Sequence, residues 1–132
     1  MSAAKAGKNL RSPLARARGL GSAKQGVHHF WVQRVSAVAL IPLALWFAFS
    51  LARIGSADFE AVHGWVGAPS VAVTLVLFLA AASYHSMLGI QVVIEDYVAG
   101  EGMKLASLLL SKFVHIAVAA AGIFAVLKIA LA

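Results

Sequence analysis

Two histidines, a tyrosine and two adjacent acids carry most of the chemistry available to this 132-residue chain: His85, His115, Tyr97, Glu95 and Asp96. A neutral imidazole ligates a metal through one ring nitrogen, carries a proton or joins two elements by a hydrogen bond. A phenol donates its O–H to an acceptor oxygen while its ring tolerates a membrane interface. Cysteine is absent, which removes disulfides, thiolate zinc sites, iron–sulfur ligation and a thiol nucleophile together. Any metal is therefore held by His or carboxylate. No soluble-enzyme motif competes: Gly19-Leu20-Gly21 and Gly26 lack the strand–turn–helix setting of a nucleotide loop, and no serine sits in a nucleophile elbow.

The elements that must position these groups follow from composition. The chain is 61% hydrophobic and 12% charged, with a formal charge of +6 and a mean hydropathy of +0.88. Soluble domains run at about 45–50% apolar and about 25% charged, so too little polar surface remains here to cover a small globule. Lipid is the natural solvent, and three or four spans of about 20 residues are the ceiling at this length. Val35 to Ala52 is 18 residues without a charge, framed by Arg34 and Arg53, with Pro42 inside. Trp65 to Ile94 is 30 residues without Asp, Glu, Lys or Arg, and Pro69 belongs at or before the first turn of its helix. Leu105 to Ala132 is broken only by Lys112 and Lys128, placed to snorkel toward opposite interfaces. The expectation is an all-α membrane protein with spans at about 31–53, 66–95 and 105–131, a polar outer loop over Arg53 to Gly64 and a second loop over Glu95 to Lys104.

Residues 1–34 hold Lys5, Lys8, Arg11, Arg16, Arg18, Lys24 and Arg34 and no acid. Rich in small residues and glycine, this segment is expected to be an extended or weakly ordered basic arm, separate from the membrane part at 35–132. It is too long for a signal peptide, and an Arg-rich, acid-free mitochondrial presequence matches its composition less simply than a retained cytoplasmic arm obeying the positive-inside rule. That rule places the N-terminus in the cytoplasm and, after three crossings, the C-terminus on the periplasmic side. The arm suits anionic lipid or a partner protein; beside three spans its charge gives no reason to expect nucleic acid. Glu95 and Asp96 then close span two on the cytoplasmic side, where the helix dipole prefers cations. Solvated loop acids and a functional placement both remain open for that pair.

Depth distinguishes the histidines. His85 lies 11 residues before Asp96, about 16 Å of helix and well inside a hydrocarbon core of ~30 Å. An ionisable group at that depth marks a cofactor, an ion path or a polar contact between helices. Ala81, Ala82, Ser86 and Gly89 surround it with small side chains, so a flat group such as a porphyrin has room to approach. His115, 10 residues beyond Leu105, is at comparable depth, and depth alone leaves both histidines as candidates for haem iron. His28, His29 and His63 sit at or outside the boundary. Arg34, at the head of span one, either anchors that helix among headgroups or pairs with a carboxylate.

Two stretches resemble one family. Gly26-Val27-His28-His29-Phe30-Trp31-Val32-Gln33-Arg34 precedes span one, and His85-Ser86-Met87-Leu88-Gly89-Ile90-Gln91-Val92-Val93-Ile94-Glu95-Asp96-Tyr97-Val98 closes span two. With the arm's Arg11-Ser12-Pro13-Leu14 and Gly19-Leu20-Gly21-Ser22, the three spans and the length, the chain is similar to the small hydrophobic membrane anchor of bacterial-type succinate dehydrogenase. The resemblance implies a complex of the electron-transport chain and tricarboxylic acid cycle in the bacterial inner membrane. In it a flavoprotein oxidises succinate and an iron–sulfur protein relays electrons to ubiquinone. Two membrane anchors, this one and a cytochrome b anchor, hold haem b between them. It also implies that His85 is an axial ligand of the haem iron, the other coming from the cytochrome b anchor, and that Tyr97 and its neighbour Asp96 meet ubiquinone. Arg34 and His28 are implied to lie near the haem propionates. Such an anchor is not an enzyme by itself. The competing expectations are a self-contained b-type cytochrome ligated by His85 and His115, and a structural anchor without a cofactor.

Overall fold

Proline and glycine punctuate the apolar runs, and the helices begin and end beside them. The computed structural model describes residues 12–17 and 26–132. Among the described residues five helices follow one another: α1 (Pro13–Ala17), α2 (Gly26–Ile54), α3 (Phe59–Gly67), α4 (Pro69–Tyr97) and α5 (Glu101–Ala130). The described residues contain no strand. The three long helices α2, α4 and α5 are each long and apolar enough to cross a membrane, so the all-α, three-span architecture agrees with the sequence. At 29, 29 and 30 residues each helix is about 44 Å long, against a hydrocarbon core of ~30 Å, so about 7 Å at each end lies among headgroups.

The boundaries differ from the sequence expectation in three places. Helix α2 starts at Gly26, so residues 26–34, expected to end the arm, are helical, and the short α1 lies within the arm as well. Between Gly26 and Arg34 no proline or further glycine interrupts a helix, and a chain entering hydrocarbon must satisfy its backbone internally. The remaining arm, with Lys5, Lys8, Arg11, Arg18 and Lys24, lies outside the described residues. In the outer connection, expected as a loop, Asp58 caps α3 by accepting the Ala61 N–H on Oδ1 at 2.9 Å, with Glu60 in the first turn where the dipole favours an acid.

The third difference is the connection from α4 to α5, which shrinks from an expected ten residues to Val98, Ala99 and Gly100. Gly100 has φ +92° and is the described residue with positive φ, a backbone that side chains disfavour and that lets α5 start at once. The acids at the end of α4 are compensated across this turn: Lys104 Nζ donates to the Glu95 carbonyl oxygen at 3.0 Å, bringing a cation to the negative helix end. Pro69, as expected, opens α4 at its first turn, after the extended Ala68.

Helix α4 is the middle element, packed against α5 and α2. The end of the bundle where α2 begins and α4 turns into α5 is the near end; α3 lies at the far end. Burial concentrates toward the far end, where Ala72, Leu75 and Val126 are packed by Trp46, Phe47, Trp65, Val66 and Leu79. Trp46 stacks on Trp65 at 6.0 Å and Phe47 on Phe78 at 4.7 Å, contributing roughly 0.5–1.5 kcal/mol each beyond area burial. A Cβ on Gly122 would meet Leu79 Cδ1 at 3.3 Å, so α5 and α4 approach closely through a small residue. Leu88 and Ser36 are the other buried residues described. Much apolar surface faces outward, from Val35 and Phe49 to Phe113 and Phe124, as lipid contact requires.

Gly100→Val places a branched side chain at positive φ and is expected to cost about 1–3 kcal/mol. Thermal unfolding of the detergent-solubilised protein should show a midpoint several degrees below the parent, and an unchanged midpoint would contradict the tight turn.

Candidate functional site

His85 projects from α4 toward α2, 12 residues and about 18 Å from Tyr97. Its Nδ1 lies 2.9 Å from Ser36 Oγ, and the same hydroxyl donates its proton to the Gln33 carbonyl oxygen at 2.9 Å. A hydroxyl has one proton. Because Ser36 gives it to Gln33, Oγ meets His85 as an acceptor, so Nδ1 carries the ring proton and Nε2 carries the lone pair. Ser36 is 8% exposed, and little water reaches the pair to rearrange it. Among the described residues Nε2 of His85 has no hydrogen-bond partner. One turn along, a Cβ on Gly89 would meet nothing within 4 Å, so space is open beside the ring.

His115 is held differently. Its Nδ1 donates to the Ser111 carbonyl oxygen at 2.7 Å, which leaves Nε2 as the acceptor, and Ser86 Oγ lies 3.1 Å from it. Both ring nitrogens are thus engaged within the chain, one in the preceding turn of α5 and one across to α4. Adjacent residues on α4, His85 and Ser86, serve opposite neighbours because they point about 100° apart. The two histidines that depth could not separate differ in the nitrogen that matters for a metal: His85 offers Nε2, and His115 spends it on a helix contact.

The near end holds the other residues that the resemblance implicates. Tyr97, the last residue of α4, is 83% exposed, and Asp96 is exposed beside it. At 100° per residue Asp96 lies about 20° round the helix from His85, nearly on the same face, and Tyr97 about 120° round. A cleft of about 510 Å³ runs between the start of α2 and the last turns of α4, lined by His28, His29, Val32, Leu88, Gln91 and Glu95 among others. Gln91 donates to Glu95 Oε1 at 2.8 Å. Among the described residues His29 Nε2 is buried without a partner. Arg34 is exposed, and its guanidinium lies 4.9 Å over the Phe30 ring. His28 therefore shares a cleft with acid and amide groups of α4, whereas Arg34 stacks within α2.

Sequence reasoning passed over Ser36, although a signal was present: it is the single hydroxyl between Val35 and Phe49. Ser86, one of the small residues around His85, also reaches His115 across to α5, a contact that spacing along α4 does not reveal. Among the described residues no group of three or more His, Cys, Asp or Glu side chains could hold a metal ion, so an iron at His85 would need equatorial ligands of its own, as a macrocycle provides. A neutral imidazole with a free Nε2, a fixed Nδ1–H and an open flank fits such a group.

The family of succinate dehydrogenase/fumarate reductase transmembrane subunits matches residues 8–126. The succinate dehydrogenase hydrophobic membrane anchor subunit of Paracoccus denitrificans is 34% identical over 120 residues, 91% of this chain and 92% of that one. That of Rickettsia bellii is 33% identical over 90 residues, 68% of this chain and 72% of that one. The succinate dehydrogenase membrane anchor subunit of Reclinomonas americana is 30% identical over 96 residues, covering 70% and 80%. No solved structure matches. With a match across almost its whole length and three apolar helices to carry it, the chain belongs to the family of succinate dehydrogenase/fumarate reductase transmembrane subunits, as a multi-pass membrane anchor.

Proposed function

We propose that this anchor holds haem b jointly with a second membrane anchor, the cytochrome b anchor of the complex, and forms part of a ubiquinone-reduction site in succinate:ubiquinone oxidoreductase. The observation that carries the reading is Nε2 of His85, deep on α4 and without a hydrogen-bond partner among the described residues, while Nδ1 lies 2.9 Å from Ser36 Oγ. The flavoprotein and iron–sulfur partners supply succinate oxidation and the electron relay. This chain has no cysteine for such a relay, so electrons reach its surface from a partner. The basic arm places the near end in the cytoplasm and the C-terminus in the periplasm, with the complex in the bacterial inner membrane.

Each residue then has a defined task. His85 would hold the haem iron through Nε2. When bound, the haem supplies a one-electron carrier whose potential depends on its axial ligands and burial. Tyr97, exposed at the near end where a soluble partner docks, donates its phenol O–H to a carbonyl oxygen of ubiquinone. Reducing the quinone to the quinol takes two electrons and two protons, and Asp96 beside Tyr97 can accept protons from the cytoplasm and pass them on. His28, in the near-end cleft, and Arg34 on the outer face of α2 are candidates for contact with the propionates. The closed hydrogen bonding of His115 supports a partner-supplied second ligand over His115.

Two experiments test this reading. In the purified complex His85→Ala should abolish the low-spin bis-imidazole signature, while His115→Ala retains it. A signature lost with His115→Ala as well as with His85→Ala would favour a self-contained cytochrome, and stoichiometric low-spin haem in His85→Ala would favour an anchor in which His85 is only a helix contact. Separately, Tyr97→Phe should depress succinate:ubiquinone activity by at least tenfold and leave succinate oxidation with an artificial acceptor intact; equal loss of both would remove Tyr97 from the quinone site.

A further inference from the structure

We propose that Ser36 is a positioning residue for the haem: by accepting the Nδ1–H of His85 while its own proton is fixed on the Gln33 carbonyl, it sets the tautomer and ring orientation of the ligand from the neighbouring helix. The inference rests on the reading of His85 as the iron ligand and goes beyond it, since it assigns a role to a residue of α2 that touches no metal.

The geometry is directional. Ser36 Oγ lies 2.9 Å from both the Gln33 carbonyl oxygen and His85 Nδ1. A serine in an apolar helix has no water to take its proton and bonds back to a carbonyl in the preceding turn. With the proton so placed, the hydroxyl can meet the imidazole only as an acceptor. If Ser36 were free to donate to Nδ1, the ring proton would move to Nε2 and ligation through that nitrogen would stop. The carbonyl of Gln33 thus decides which nitrogen of His85 carries a lone pair, through one oxygen atom of a residue that is 8% exposed.

The effect on a bound iron has a definite sign. An imidazole that donates through Nδ1–H is a more basic ligand at Nε2, and a more basic ligand favours the ferric state. Loss of the acceptor should therefore raise the reduction potential. It should also release the ring, because Ser36 is the described group that bonds Nδ1, and a ring free to turn gives a spread of ligand orientations. Neighbouring His115 cannot take over the role, since its Nδ1 and Nε2 are bonded to Ser111 and Ser86.

Threonine and valine have nearly the same shape, and only threonine keeps a hydroxyl able to bond the preceding turn. In the intact purified complex, the low-spin ferric haem spectrum, the haem-to-flavin ratio and the haem midpoint potential are compared for wild type, Ser36→Ala, Ser36→Val and Ser36→Thr, with His85→Ala in parallel. Ser36→Ala and Ser36→Val should broaden the low-spin signal, weaken haem retention about tenfold and raise the potential, while Ser36→Thr behaves as wild type. Identical behaviour of the valine and threonine variants, whether both normal or both impaired, overturns the proposal, as does an Ala variant with unchanged potential and spectrum. A low-spin signal that survives His85→Ala overturns the ligand reading itself. If His85→Ala loses the signal and the Ser36 variants are silent, the ligand reading stands and the role of Ser36 falls.

Discussion

Inside hydrocarbon, water is absent as a partner, so each polar side chain either bonds within the protein or carries a large desolvation cost. In this bundle that constraint is met by serine. Ser36 takes up one nitrogen of His85, and Ser86 and the Ser111 carbonyl take up both nitrogens of His115. These contacts tie α2 and α5 to the central helix at nearly the same level. Bonds of this kind between spans contribute on the order of 1 kcal/mol, less than the packing around them. Their consequence is chemical: both rings carry the proton on Nδ1, and they differ at Nε2, which Ser86 engages in His115 and no described group engages in His85.

The bundle is correspondingly uneven along its length. Toward the far end aromatic pairs, a close glycine contact and the short α3 close the packing. Toward the near end the helices leave a cleft lined by histidine, glutamine and glutamate, and an exposed tyrosine at the end of α4. A packed far end and an open near end suit a membrane anchor subunit of a complex. The same division explains how a helix can end on two acids: Lys104, one turn into α5, supplies the cation that the dipole of α4 lacks locally.

Much of this was legible in the sequence because lipid imposes simple rules. Uninterrupted apolar runs of the right length give three helices, Pro69 marks the start of one of them, and the His85-to-Tyr97 interval places a ring at depth and a phenol at the boundary. The ends were less legible. Helix α3 hides behind a single capping aspartate, and Gly26–Arg34 has the composition of an interface segment, which is compatible with either an arm or a helix. The tight α4–α5 turn depends on one glycine with positive φ, while its polar composition reads equally well as a longer loop.

Composition and spacing alone determined that the chain is a three-span membrane protein without thiol chemistry, and that His85, His115, Asp96 and Tyr97 occupy their depths along two helices. Those properties depend on distance along the chain, which a helix converts into height at a constant rise. Which nitrogen of which histidine is free was decided only by tertiary structure, because it depends on a serine 49 positions away on another helix. Proximity between helices, and the single proton that each hydroxyl can give, have no counterpart in the linear order of residues.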